Sequence, residues 1–542
     1  MAPNRKRVCI VGGGISGIAQ AVRLQEALGN KVEFTIYERD VAVGGVWRDS
    51  TWPLAGVDVP IHLYSLYSHL NGSFSEKYAR RDEVLAYWNS IVDKHGFRDR
   101  LRFQHDFQTS SWDEIEQVHH VTFSTPHGPV VIDAEILISA SGALNKPTTP
   151  SIPGIETFGG QQWHSSRWQN DVDLRNKKVA IVGNGSSGIQ PIPYLAGLQG
   201  VSITQFMRSP GYFKPKVNFQ YSWLQRFIFN YVPFANRLYR WNLFHAYDHI
   251  GASRGTGSWS TKQREGHTAR LLSYLHKTAP KEYHGILTPN YPMHCKRVAY
   301  NAGWLEALHR PNVHLTADPI TAVTPTGLVT KSGASFDFDV IVWATGFDVS
   351  ATGVGLNHGV FGLDGKELRE LWEDNEGAFA YLGVGHSLVP NYFTVLGPNA
   401  ISMSWGYTLG NQTEFIARLV KGIVDNGLTS LVPKAAATST YNIKLQERLE
   451  KTVLVSKLCT AWYRYRGHGK VIAPSGLTAT ELWLRTRKIK WEDWEARAQP
   501  EGADKAAVVE VRSPASWNPL SWVADWAADK LENYIYVLTT SQ

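Results

Sequence analysis

Apolar residues along this chain gather in short runs separated by glycine turns. The run Arg7 to Val11 ends at Gly12, helical spacing then extends from Ser16 to Leu28, and a second apolar run covers Lys31 to Glu38. This order predicts a strand, a helix and a strand. It restarts at Lys177 to Val182, passes through Gly183-Asn184-Gly185-Ser186-Ser187-Gly188, and reaches a predicted strand at Val201 to Phe206. Two further runs, Ala134 to Ala140 and Val340 to Ala344, read as fully buried strands that return the chain across a domain junction. The expected fold class is therefore α/β, with two Rossmann-like dinucleotide-binding domains.

Between these units, Val217 to Tyr247 carries many aromatics, several arginines and no acidic residue. It predicts a helical insertion in the second unit. Three readings fit it: packing on its own domain, a wall of a large apolar pocket, or a surface that touches a membrane. After Trp494, the polar stretch Gln499 to Lys505 reads as a linker. Leu520, Val523, Ala527, Leu531, Tyr534 and Leu538 then recur at helical spacing, as in a docking helix.

Composition narrows the function classes. The 542 residues include 55 Lys+Arg and 48 Asp+Glu, a net charge of +7, with 43% hydrophobic residues, as in an ordinary globular protein. The basic residues are scattered and match no zinc-finger, helix-turn-helix or RNP-like pattern, so no nucleic-acid partner is expected. No apolar run reaches the length of about 18 residues needed for a transmembrane segment, and the N-terminus does not read as a secretory signal. Cys9, Cys295 and Cys459 lie far apart, which predicts a reduced, cytoplasmic chain without the paired cysteines of a disulfide reductase.

The glycines carry the first candidate chemistry. In Gly12-Gly13-Gly14-Ile15-Ser16-Gly17, Gly12 permits the tight turn, Gly14 lets a pyrophosphate approach the backbone, and Gly17 lets helix and strand pack closely. Glu38 ends the next strand, where a carboxylate accepts ribose hydroxyls and disfavours a 2′-phosphate. The first unit thus suits FAD or NAD. The second has no acid at the matching place but has Arg208, which pairs with a 2′-phosphate. Together they predict a flavoprotein that takes hydride from NADPH.

The stretch Phe158-Gly159-Gly160-Gln161-Gln162-Trp163-His164-Ser165-Ser166-Arg167-Trp168 fits the pattern FxGxxxHxxxW at Phe158, Gly160, His164 and Trp168. On these residues the chain resembles the FAD-dependent, NADPH-consuming Baeyer–Villiger monooxygenases, within the wider flavin monooxygenase superfamily. Further stretches resemble that family in order: Gly44-Gly45-Val46-Trp47, Asp58 followed by Tyr64-Ser65, Cys295-Lys296-Arg297, Ala344-Thr345-Gly346-Phe347-Asp348, and Asn391-Tyr392-Phe393 before Gly397-Pro398-Asn399. The similarity spans Arg7 to Trp494. It departs at Trp52-Pro53-Leu54-Ala55-Gly56, where the family commonly has an arginine that this chain lacks.

The resemblance implies oxygen insertion from O2 beside the carbonyl of a small-molecule ketone, through a C4a-peroxyflavin, with FAD and NADPH as cofactors. It implies Arg297 as the catalytic cation and Asp58 as the acid that orients it. Val46, Trp47, Asp58 and Tyr64 are implied on the flavin side. Gly183, Asn184, Gly185, Ser186, Ser187, Gly188, Ile189 and Gln190 are implied on the NADPH side. Arg208, Ser209 and Lys296 would take the 2′-phosphate, and Trp462 would line the nicotinamide. His164 is expected to hold an interdomain linker rather than to act as a base. The implied organisation is a FAD-binding part over 1–145 and 346–498, an NADP-binding part over 146–345 with its helical insertion near 217–285, and a linker and helix over 499–542. Two rival readings are an N- or S-oxygenating flavin-containing monooxygenase and a catalytically silent flavin-binding protein.

Overall fold

A computed structural model describes residues 5–349, 359–499 and 506–511. The first apolar run forms the strand Lys6–Val11, the helix follows at Ile15–Leu28, and the second strand is Val32–Tyr37 after a short turn at Gly29–Lys31. These strands pair in parallel, Val8 opposite Phe34 and Ile10 opposite Ile36. Their sheet has five strands in the order Tyr392–Thr394, Ile136–Ser139, Lys6–Val11, Val32–Tyr37, Leu101–Arg102. A strand from late in the chain therefore completes the first unit.

The second sheet also has five strands, in the order Val313–Thr316, Ser202–Phe206, Lys178–Val182, Val340–Trp343, Gln161–His164, all parallel. Parallel sheets need cover on both faces, which explains the unbroken apolar runs. Over the first sheet, the helix Ile15–Leu28 packs on the helix Trp405–Asp425, where Ile18, Val22, Phe415 and Ile416 are fully buried. Each such side chain contributes about 1.5–3 kcal/mol of burial.

Three expectations need correction. The run Ala134 to Ala140 is two strands: Gly128–Ala134 pairs antiparallel with Val118–Thr125 in a separate four-stranded sheet, and Ile136–Ser139 belongs to the parallel one. Glu135 separates them and accepts from the Arg7 guanidinium at 3.1 Å, a role that an apolar run would not fill. The insertion does form helices, Trp223–Tyr231, Ala235–Ala252 and Ser258–Thr278, yet the first two pack on the first unit, and Tyr247 of the second reaches back to Tyr300 and Lys214. His62 Nδ1 bonds Asn236 Oδ1 at 3.0 Å, and Arg240 donates to the Ser65 carbonyl at 2.7 Å.

The third correction concerns the cysteines. Cys295 and Cys459, 164 positions apart in sequence, are joined in a disulfide among Tyr212, Tyr291 and Met293, so the expected fully reduced chain does not hold. Distance along the chain was the only argument against pairing, and folding removes it. Near the C-terminus, Trp494–Ala498 pairs antiparallel with Ala507–Val509. Residues 500–505 of the expected linker and the predicted helix from Leu520 to Leu538 lie outside the described residues. Among the described residues no helix is long and apolar enough to cross a membrane.

Candidate functional site

Both glycine turns are built as their spacing predicts. Gly12 has φ +111°, and a Cβ there would meet the Ala140 carbonyl oxygen at 2.6 Å; one at Gly17 would meet the Gly12 oxygen at 1.9 Å. Gly183, at φ +122°, repeats this against Ala344 at 2.2 Å, and Gly188 against Gly183 at 2.4 Å. The middle glycines differ in kind. Nothing lies within 4 Å of a Cβ placed on Gly185, and the nearest atom to one on Gly14 is 3.6 Å away, so both turns offer open backbone to a phosphate. Glu38 is buried, and its carboxylate accepts from the Gly13 N–H at 2.6 Å and the Asp40 N–H at 3.0 Å. Burial raises its pKa, while those two N–H groups and Arg48 pull it down. The carboxylate thus stands at the first turn, where ribose hydroxyls would reach it.

Between the units opens a cavity of about 1360 Å³ that reaches from Gly12, Gly14 and Glu38 past Val46, Trp47 and Tyr64 to Lys296, Arg297 and Trp462. Residues 285 positions apart in sequence, Gly12 and Arg297, thus face one space. Trp47 Nε1 donates to Tyr64 Oη at 2.9 Å, which fixes the indole beside the phenol. Burial pushes the Tyr64 hydroxyl up to about 12, so it stays protonated, against smaller opposing effects of Trp47 and Arg297.

Asp58 is the hub of the site. Its Oδ2 accepts from Arg297 Nη2 at 3.2 Å and from Ser186 Oγ at 2.8 Å, and Gln190 Nε2 donates to its Oδ1 at 3.3 Å. Lys216 Nζ lies 3.6 Å from the same Oδ1 with its side chain only 6% exposed. The carboxylate is 7% exposed and the Arg297 side chain 58%, so the acid is buried while the guanidinium opens onto the cavity. Ser186 and Gln190, expected on NADPH, therefore reach across to the first unit. Burial lowers the pKa of Lys216, and Asp58 opposes the shift. Lys216 was not singled out in the sequence; its only signal there is a lysine beside the aromatic segment.

Lys296 Nζ donates to Ser209 Oγ at 2.8 Å, and Asn184 Nδ2 donates to the Ser209 carbonyl at 2.9 Å. Burial depresses the Lys296 pKa and nearby Arg208 depresses it further. Lys296 and Arg208 are thus near enough to repel each other, a repulsion that a bound dianion would relieve. Ile189, expected on the NADPH side, has its side chain buried in the core of the second unit and not on the cavity lining. Ser187 Oγ accepts from Ser165 Oγ at 3.1 Å.

The residues of the FxGxxxHxxxW pattern occupy packed or hydrogen-bonded positions. Phe158 and Trp168 are buried, and a Cβ on Gly160 would meet the Asp339 oxygen at 2.5 Å. His164 caps a short turn by accepting from the Ser166 N–H at 3.1 Å, and its ring stands edge-on to Phe347. Arg167 crosses to Asp49 of the first unit at 2.9 Å. At the departure from the family pattern, Trp52 Nε1 donates to Gln190 Oε1 at 2.9 Å, so an indole joins the units there.

The model of the pyridine nucleotide-disulphide oxidoreductase family matches residues 6–218. In fold, the chain superposes on a closed cyclohexanone monooxygenase with a TM-score of 0.80 at 22% identity, covering 91% of this chain and 100% of that one. It superposes on NADP+-bound cyclohexanone monooxygenase from Rhodococcus sp. Phi1 with a TM-score of 0.79 at 22% identity, covering 92% and 100%. In sequence, it is 30% identical to a Baeyer–Villiger monooxygenase of Pseudomonas aeruginosa over 86% of this chain and 87% of that protein. It is also 31% identical to one of Streptomyces coelicolor over 90% of this chain and 92% of that protein. With that much of both chains in common, the protein belongs to the Baeyer–Villiger monooxygenase family.

Proposed function

We propose that this protein binds FAD on the first glycine turn and NADPH on the second, and inserts one oxygen atom of O2 beside the carbonyl of a bulky, apolar ketone. The overall reaction is ketone + O2 + NADPH + H+ → ester or lactone + NADP+ + H2O. FAD, when bound, relays the two electrons of NADPH to O2. In this reading residues 1–145 and 346–498 form the FAD-binding part and 146–345 the NADP-binding part. Cytoplasm, where NADPH is regenerated, is the compartment that fits.

The observation that carries the proposal is Arg297, half open to the cavity and held at its other edge by the buried Asp58. Oxygen insertion builds negative charge on the attacking oxygen and then on the former carbonyl oxygen. A guanidinium is charged at every working pH and presents a planar fork of donors to both. Asp58 orients that fork, and Ser186, Gln190 and Lys216 hold Asp58. Arg208, Ser209 and Lys296 select the 2′-phosphate, which would fix the nicotinamide in the shared cavity beside Trp462. Trp47 and Tyr64 form the wall on the first unit's side and exclude water there.

The test is a ketone panel run with the flavin-loaded enzyme, following NADPH, O2, hydrogen peroxide and product mass. A product one oxygen heavier than its ketone, formed with matching NADPH use, is expected. Oxygenation of amines or sulfides alone, or peroxide release with every ketone, would overturn the proposal. A cavity of this size also predicts faster turnover of bulky than of small cyclic ketones.

A further inference from the structure

The helices Trp223–Tyr231 and Ala235–Ala252 turn one face to the protein, with Phe229 partly buried and Asn236 and Arg240 buried, and leave the other bare. Inward, Asn236 and Arg240 bond to His62 and Ser65, and the rings of Phe229 and Tyr239 stack at 5.0 Å. Outward, Trp223 is 73% exposed, Phe227 51% and Tyr231 72%, spaced four residues apart along one stripe. Phe234 at 69%, in the turn between the helices, and Leu238 at 63% and Trp241 at 62% on the second helix extend it. A contiguous apolar surface of this kind, rich in Trp and Tyr, marks an interaction site.

Charge identifies what it meets. From Val217 to Tyr247 there is no Asp or Glu, and Arg226 and Arg237 are exposed on these same helices. Arg240 is buried, and Asp248 of the second helix is turned inward onto Ala479 and Thr480, so the charge these helices offer outward is positive. A second copy of the chain docking face to face by a two-fold axis would bring these arginines toward each other without a partner. Phosphate headgroups above a hydrocarbon layer satisfy both features at once. From these features we infer that the outer face of the two aromatic helices docks on an anionic phospholipid bilayer, lying in the headgroup region without crossing it. The second helix also carries Tyr247 and Gly251, which line the active cavity, so it links the docking face to the site. The delivery of an apolar ketone from the bilayer along this helix rests on the proposed function; the docking itself does not.

Sedimentation of the full-length, flavin-loaded protein with vesicles tests the docking without any turnover. Vesicles of phosphatidylcholine with phosphatidylglycerol are expected to carry the protein down, and pure phosphatidylcholine vesicles much less. Phe227→Glu with Phe234→Glu is expected to abolish sedimentation. Arg226→Gln with Arg237→Gln should weaken it by about fivefold for each charge removed and flatten its salt dependence. None of these four residues touches the cavity, so turnover of a water-soluble ketone without vesicles is expected to stay at the wild-type level. Three results would overturn the inference: no sedimentation of the wild-type protein with the anionic vesicles, equal sedimentation of the wild type and both variants, or a wild-type dimer in light scattering that Phe227→Glu with Phe234→Glu converts to monomer.

Discussion

Arg297 donates to Asp58 at 3.2 Å, and the two differ sharply in exposure, 58% for the guanidinium side chain and 7% for the carboxylate. One edge of the cation is thus anchored in protein and the other is free for a reacting oxygen. Replacing Arg297 by Ala is expected to reduce ketone oxygenation by about 10²–10³-fold. NADPH oxidation should continue, with hydrogen peroxide as its product. Lysine at this position should recover only a minor part, because a point charge lacks the fork. The ratio of product to peroxide measures both effects.

Lys216 shares Asp58 with Arg297 from a buried position. Without this ammonium, the carboxylate would draw the guanidinium closer and away from the cavity. Lys216→Met is therefore expected to lower ketone oxygenation by roughly tenfold, or about 1.4 kcal/mol of barrier. A larger peroxide fraction at unchanged NADPH affinity is the expected signature. A purely structural role would change neither ratio in the folded enzyme.

Lys214 lies over the Tyr300 ring at 4.1 Å and lines the cavity. Burial, with repulsion from Lys77 and Arg297, brings its pKa down to about 8. It is charged below that value and neutral above. Oxygenation that relies on positive potential in the cavity should decline as pH rises through about 8, and Lys214→Met should remove that limb from the pH profile. Stability moves the other way. Because the folded value lies below the unfolded one, the unfolded chain holds the proton longer, and this group's contribution to stability rises between about 8 and the ordinary lysine value of 10.5.

Lys296 and Ser209 meet at 2.8 Å beside Arg208. Lys296→Ala and Arg208→Ala should each raise the KM for NADPH by about tenfold and leave that for NADH nearly unchanged, since only NADPH carries the 2′-phosphate. Initial rates with both coenzymes decide this. Equal losses with both would place these residues elsewhere.

The disulfide Cys295–Cys459 ties the segment bearing Lys296 and Arg297 to the one bearing Trp462. It closes a loop of sequence separation 164, so Cys459→Ser should cost about 2–5 kcal/mol of stability. Thermal unfolding with and without reductant measures it. Alkylation of the denatured, unreduced protein is expected to find Cys9 as its one thiol, since Cys9 is free and the other two are paired.

Local grammar made the two nucleotide turns readable from sequence alone. A strand, its glycines and the following helix are contiguous, and the close approaches at Gly12, Gly17, Gly183 and Gly188 arise within single turns or against the neighbouring strand. Arg297 and Asp58 were legible only through resemblance to a family, because no local pattern tells an arginine at position 297 that its acid stands at position 58. Tertiary structure alone decided the rest. It brought Lys216 to Asp58, joined Cys295 to Cys459, turned Ser186 and Gln190 toward the first unit, and seated the aromatic helices on residues 61–75. These contacts lie between elements distant along the chain, and the burial that selects them exists only after both sheets have formed and packed.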